Sequence, residues 1–340
     1  MNLKQIFTIF LFFLTAFVYA QKDSVMIKSY EHQIMVRANL DTNVESYTFY
    51  EMSEGMDKET TLSINNKIKT SLSVDYRFIS ATLSFAPKFI SDNKYNPLKG
   101  NSSYTDLTFR FFPKRFIQTV YYKNVKGFYV ENTGDFIPGW QQGKDAYIQF
   151  PGLRVQTFGG STAYALNKNF SVKSIYTQGE WQNKSSGSFT PFLDYDYTIF
   201  RNNIDEEKSK ETQFNIGANM GYFYNWIIAR KVNISPYIAL GVGGKFSSSR
   251  ESLMNGSYGE KEKGQFVTVK FASGLHIGYN SDRFLFGGKL NFTASAYNQQ
   301  ENYTVENSNS FGLLYLGYRF APPKVVKNSY DKIQKKIPIL

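Results

Sequence analysis

Few residues in this chain have the chemistry for making or breaking bonds. Of its 340 residues only His32 and His276 are histidine, and none is cysteine. Without cysteine there are no disulfides, thiolate metal sites or thiolate nucleophiles. A serine hydrolase needs a histidine beside the serine, oriented by a third group. His276 lies in the run LHIGYN with no serine immediately downstream, and His32 lies in weakly patterned N-terminal sequence. No enzyme activity is expected. Two histidines leave only carboxylates for a metal. The acidic run Asp205, Glu206 and Glu207, with Glu211, is interleaved with Lys208 and Lys210 and reads as a solvated loop. No metal and no cofactor is expected.

What the sequence does place regularly is charge. Arg110, Arg154, Lys173, Lys270, Arg283, Lys289 and Arg319 fall on the polar sides of alternating segments, with Asp75 and Asp106 of opposite sign. Alternation means strand, because successive side chains point to opposite faces. The clearest segment is 307–320 (NSNSFGLLYLGYRF): Leu314, Leu316, Tyr318 and Phe320 oppose Leu313, Tyr315, Gly317 and Arg319. Similar runs cover 70–78, 81–87, 104–112, 116–130, 147–166, 170–180, 214–224, 234–246, 267–279 and 284–296. Residues 33–40 alternate too, and one N-terminal segment supplies the first strand. Many runs have the length a tilted strand needs to cross a bilayer. No stretch after residue 20 approaches a transmembrane helix, and aromatics reach 17%. This predicts an all-β, antiparallel up-and-down transmembrane β-barrel of about twelve strands, with fourteen the alternative. Its charged set would face the lumen, where charges are tolerable only wet or paired.

Turn lengths give a parity test, since periplasmic turns are short and extracellular loops long. Counted from both ends, segments 79–80, 113–115, 167–169, 229–231 and 280–282 are short and inside. The counts agree when 181–209 is an extracellular excursion following a strand at 170–180.

Residues 1–20 read as a cleaved signal peptide: Lys4, an apolar run over 6–18, and a cleavage site at Val18, Tyr19 and Ala20. Residues 21–66 form a lead-in with one or two strands, 67–320 the barrel, and 321–340 a basic periplasmic tail with five lysines against Asp331. The net charge of +11 suits anionic lipid headgroups or anionic solutes. Export argues against a nucleic-acid partner. Outer-membrane lipid and the barrel-assembly machinery are the expected partners. The oligomeric state is left open.

Residues 178–189 (QGEWQNKSSGSF) resemble a motif of an uncharacterised family of secreted proteins from Bacteroidetes-type bacteria, a domain of unknown function regarded as an outer-membrane β-barrel. DSVMIKSYEHQIMVR (23–37), GYFYNW (221–226) and GYRF (317–320) are similar as well. The resemblance covers almost the whole chain after residue 20 and implies location in a Gram-negative outer membrane, without an established activity. It draws attention to Gln178, Glu180, Gln182, Lys184, Ser185, Gly187 and Ser188. On the parity count these lie at the extracellular mouth, as a hydrogen-bonded loop anchor that plugs the barrel or as a ligand site.

Three functional readings follow. The first is a narrow or plugged pore or transport barrel for a polar or anionic solute. The second is a non-transporting structural or surface-interaction protein. The third is a soluble periplasmic lipocalin-like binding barrel, which requires the apolar faces turned inward.

Overall fold

The protein's structure, a computed structural model, describes residues 26–42, 46–53, 56–204, 207–251, 259–300 and 303–336. The expected signal peptide lies outside the described residues. In chain order the elements begin with β1 (Ile27–Ser29), β2 (Ile34–Asp41), β3 (Ser46–Ser53), β4 (Met56–Ser63), β5 (Lys69–Tyr76), β6 (Ile79–Phe85), β7 (Ser103–Phe111), β8 (Phe116–Val130) and β9 (Gln149–Tyr164). A single helical turn, α1 (Lys173–Tyr176), and β10 (Glu180–Gln182) follow. The tall strands come next: β11 (Ser186–Ile204), β12 (Glu207–Ala229), β13 (Val232–Glu251), β14 (Glu262–Asn280), β15 (Phe284–Gln300) and β16 (Tyr303–Phe320). The chain then forms α2 (Lys324–Lys336).

Twelve of these strands close an antiparallel barrel. β2, β5, β6, β7, β8 and β9 are neighbours in that order, β9 pairs with β11, and β11 to β16 follow in sequence. β16 pairs back onto β2, with Phe320 opposite Ile34 and Leu314 opposite Leu40. The first barrel strand is therefore β2, inside the lead-in. The hairpin of β3 and β4 leaves the cylinder and pairs with β8 through Leu62 and Ser63, opposite Val130 and Tyr129. β1 and β10 form a separate two-stranded sheet.

Polarity is inverted relative to a water-soluble core. Large apolar side chains stand on the outside: Leu240 is 61% exposed, Val242 60%, Leu314 65% and Leu316 62%. Residues of the opposite strand phase, among them Arg37, Asn39, Ser73, Asp75 and Arg319, are buried. This is the pattern of a strand set between lipid and a polar lumen, and it removes the lipocalin-like reading.

Two aromatic rows bound the apolar band. Near the long loops the register aligns Tyr122, Phe158, Tyr197, Phe214 and Phe246 across five strands. Near the short turns stand Phe116, Tyr164, Phe189, Tyr222, Phe284 and Tyr318, paired as ring contacts at 4.6–4.9 Å. On β11 and β12 the rows lie eight residues apart, Tyr197 to Phe189 and Phe214 to Tyr222, about 26 Å of strand. A tilt of about 40° brings that to roughly 20 Å across the membrane, close to the apolar band of outer-membrane barrels.

One strand differs from the sequence-based expectation. Segment 170–180 is not a strand. Phe170, Val172 and Ile175 all pack into one buried cluster, and the step of three from Val172 to Ile175 suits a helical turn. The Ser171 Oγ accepts the Ser174 amide at 3.1 Å and helps hold that turn. Nor is 181–209 an excursion at the long-loop end, because β11 occupies most of it as a barrel strand. Pro191, which argues against a central strand, pairs with Met220 on β12, beyond the last β9 partner of β11. Its missing N–H therefore breaks no ladder. The linker 165–185 begins and ends at the short-turn end, so parity and the number twelve both survive.

Val242 lies opposite Ala218, midway between the aromatic rows. Val242→Arg should destabilise the bilayer-embedded barrel by about 2–4 kcal/mol, read as a lower denaturation midpoint in lipid vesicles. A water-facing valine would show almost no change.

Candidate functional site: a polar lumen closed at its short-turn end

The linker 165–185 folds back into the lumen. Phe170, Val172 and Ile175 bury against Phe112, Ile117 and Phe223 of the wall, each such burial stabilising by about 1.5–3 kcal/mol. Around this apolar contact the polar side chains of the plug are hydrogen-bonded. Asn225 donates to the Ser174 Oγ at 2.7 Å, and its own Oδ1 accepts from Asn233 (2.7 Å) and Ser235 (2.8 Å). Gln182 accepts the Ser171 amide at 2.9 Å and donates to the Asn169 carbonyl at 2.6 Å. Glu180 accepts the Ser171 hydroxyl at 2.6 Å and pairs with Lys173 at 3.5 Å. β10 continues into the ladder with β1, and Trp181 Nε1 donates to the Arg230 carbonyl at 3.0 Å.

Two arginines pin this plug. Arg37 on β2 and Arg319 on β16 face inward on the two strands that close the barrel. Arg37 Nε donates to Asp75 at 3.3 Å, and its Nη1 donates to the Gln178 side-chain carbonyl at 2.7 Å. Arg319 donates to the Gln178 main-chain carbonyl, and to Asn280 and the Ser281 carbonyl at 2.7 Å each. The guanidinium carbon of Arg319 lies 3.8 Å from the Tyr30 ring centroid, a cation–π contact. Gln178 has φ 55°, a left-handed conformation uncommon outside glycine. These bonds to its main chain and side chain hold it there. Gly317 leaves room for the Arg37 stem, since a Cβ at that position would lie 2.7 Å from Arg37 Cγ.

Above the plug the lumen encloses a polar cavity. A cavity of about 490 Å³ is lined by Lys123, Asp194, Asn219, Lys270, Thr293 and Asn309 among others. Asp194 accepts from both Lys270 and Asn219. Farther toward the long loops Lys245 stands 4.6 Å over the Tyr297 ring, and Asp196 accepts from Asn215 at 2.9 Å. One side of this upper lumen is apolar. Leu62 and Tyr47 of the β3 and β4 hairpin turn in over Val125, Val155 and Phe200.

The residues singled out from sequence fall in four places. Asp75, Asp106, Arg110, Lys270, Lys289 and Arg319 are on inward faces. Asp106 accepts from Thr108 at 2.8 Å, and Lys289 stands 5.9 Å from the Tyr176 ring. Lys173 belongs to the plug instead of a strand. Arg154 is on the outer surface, because the buried phase of β9 is Leu153, Val155 and Thr157. Arg283 is exposed in the turn between β14 and β15.

The motif Gln178, Glu180, Gln182, Lys184, Ser185, Gly187 and Ser188 is at the short-turn end, not the extracellular mouth. Ser188 Oγ accepts the Asn167 amide at 3.0 Å, and Ser185 Oγ accepts the Ile227 amide at 3.0 Å. His276 is buried with Nε2 2.7 Å from the Tyr315 hydroxyl. Arg37, Asp194 and Asp196 escaped the sequence reading. Arg37 was visible on the polar side of 33–40. The aspartates alternate with Leu193, Tyr195, Tyr197 and Ile199 in the segment that became β11.

A closed antiparallel barrel with an apolar outer band, aromatic rows and a polar, partly filled lumen defines a β-barrel of the outer-membrane type. Residues 21–320 match the model of DUF4421, a domain of unknown function, and the chain belongs to that family. No curated protein matches it in sequence. Among solved structures it is similar to the outer membrane protease OmpT from Escherichia coli, at 7% identity over 88% of this chain and 100% of that one, TM-score 0.37. It is similar also to the beta domain of the Bordetella autotransporter BrkA, at 10% identity over 85% and 100%, TM-score 0.36. The ferric yersiniabactin uptake receptor FyuA from Yersinia pestis matches at 11% identity over 88% of this chain and 45% of its own length, TM-score 0.27. The chain thus spans less than half the length of that receptor.

Arg37 and Asp75 are 5% and 8% exposed. Arg37→Ala strands a buried carboxylate and should cost about 3–5 kcal/mol, measured as a lower urea midpoint and earlier proteolysis within 165–185. A second expectation concerns the N-terminal strand. The hydrogen bond from Lys28, at 2.6 Å, holds the Asp282 carboxyl below its ordinary 3.8. A depressed carboxyl stabilises above its unfolded pKa and loses that contribution as pH falls through the folded one. Amide exchange of β1, corrected for its intrinsic rate, should therefore rise modestly below about pH 4, modestly because both partners are exposed.

Proposed function

We propose that the protein resides in the outer membrane of a Gram-negative bacterium, of the Bacteroidetes type its sequence resembles, as a narrow permeation barrel that is plugged at rest. It is exported by its signal peptide and inserted by the barrel-assembly machinery, with outer-membrane lipid around it and no nucleic-acid partner. We assign it no enzymatic activity and no cofactor. The solute it admits is polar and preferentially anionic.

One observation carries this reading. Arg37 and Arg319 bond to the plug at Gln178, Lys289 stands 5.9 Å from the Tyr176 ring of the plug, and Arg110 faces inward on β7. Displacing the plug would open a path lined by cations, and such a lining favours anions. The non-transporting alternative draws on the same plug, whose polar groups are well satisfied and whose apolar face is buried.

Planar-bilayer recording separates the two. The wild type should show only background conductance. Combining Arg37→Ala with Gln178→Ala should produce discrete, anion-selective openings. Adding Arg110→Glu and Lys289→Glu should move the reversal potential toward cation preference. Silence in every plug-loosened variant that remains folded would leave the non-transporting reading.

A further inference from the structure

Five cations stand side by side on the outer surface toward the long loops. The register opposes Lys126 on β8 to Arg154 on β9, Arg154 to Arg201 on β11, Arg201 to Lys210 on β12, and Lys210 to Arg250 on β13. Directly opposed residues project from the same face of a sheet. All five are exposed. Each lies four residues along its strand from a member of the aromatic row Tyr122, Phe158, Tyr197, Phe214 and Phe246, so the cations share that lipid-facing phase. Four residues are about 13 Å of strand, or roughly 10 Å along the membrane normal at the usual tilt. That distance carries the row out of the hydrocarbon and into the headgroup layer.

Like charges directly opposite one another destabilise a sheet. Here five follow in succession, and among the described residues no carboxylate lies within ion-pair distance of any of them. The contacts they do make are with neutral amides. Arg154 Nε donates to the Asn124 Oδ1 at 2.6 Å, and Arg201 donates to the Gln156 Oε1 at 2.7 Å. Asn124 and Gln156 occupy the row between cations and aromatics and orient the guanidinium groups without neutralising them. The row ends on one side where Ser103 of β7 faces Lys126. On the other side the exposed Lys261 stands just beyond the last pair of β13 and β14. Five strands span about 19 Å of circumference, far more than one small anion occupies. The match is to an extended headgroup with several phosphates, for which arginine forks and lysine point charges are the usual partners.

We propose that Lys126, Arg154, Arg201, Lys210 and Arg250 bind the phosphate groups of a phosphorylated glycolipid of the outer leaflet, a headgroup of the lipid A type lying against β8 to β13. The proposal rests on the long-loop end facing outward and is independent of whether the lumen conducts.

The test uses the refolded chain in phosphatidylcholine nanodiscs, with diphosphoryl lipid A as the probe. Wild type should bind it at least tenfold more tightly than fully dephosphorylated lipid A, a comparison that needs no variant. Replacing Arg154, Arg201 and Lys210 together by Gln should weaken binding about tenfold or more. Replacing Lys327, Lys332 and Lys335 of α2 by Gln removes the same charge from the other end and should leave binding unchanged. Equal binding by wild type and the Arg154, Arg201, Lys210 variant would overturn the site. Equal binding of dephosphorylated lipid A would overturn phosphate recognition. Displacement by inorganic phosphate or phosphatidylglycerol as readily as by lipid A itself would reduce the row to a general anion surface and overturn the glycolipid assignment.

Discussion

The pairing of β16 with β2 is the interaction on which the rest of the structure depends. In hydrocarbon an unpaired strand edge exposes a row of N–H and C=O groups, each costing several kcal/mol. Joining the last strand to the first removes both edges at once. The same seam carries Arg37 and Arg319, one on each strand. Both arginines bond to Gln178, so the residues that close the cylinder also fasten its plug. Loss of the seam would therefore expose the sheet edges and release the plug together.

Closure dictates the inverted distribution of polarity. Lipid takes the apolar faces, so the lumen receives arginine, lysine, asparagine and serine, which must be wet or bonded. The lower lumen is solved by bonding: Asn225, Asn233, Ser235 and Ser174 form one continuous network between wall and plug. In the upper lumen Asp194 pairs with Lys270, beside a cavity of about 490 Å³. The wall is also uneven. β12 has 23 residues and β6 has 7, so the tall strands β11 to β16 rise above a low wall of β5 to β7. At the short-turn end α2 does not run free. Tyr330 packs on Tyr76 and Phe78, and Asp331 bonds to Arg77 at 2.7 Å.

Much of this was legible in the residues. Alternation in 214–224, 234–246, 267–279, 284–296 and 307–320 named five strands correctly, because a strand between lipid and a polar lumen must alternate. Segment 170–180 misled because Phe170, Val172 and Tyr176 mimic a period of two while Ile175 breaks it. β11 was hidden by Pro191 and by two aspartates, which look like loop residues until their inward environment is known. Arg154 reads as a lumen residue in sequence because a cation beside Leu153 and Val155 ordinarily marks the polar interior. At that height the interior is apolar, filled by Leu62 and Tyr47 from a distant hairpin.

By itself the sequence determined the period of the strands, the lengths of most turns, the absence of cysteine chemistry and hence the all-β barrel. These are local properties, written in neighbouring residues. Only the tertiary structure decided to which end linker 165–185 returns, that Gln178 meets Arg37 and Arg319, and that five cations from five strands fall into one row. Each depends on register between strands far apart in the chain, where a shift of one residue would turn every side chain to the opposite face.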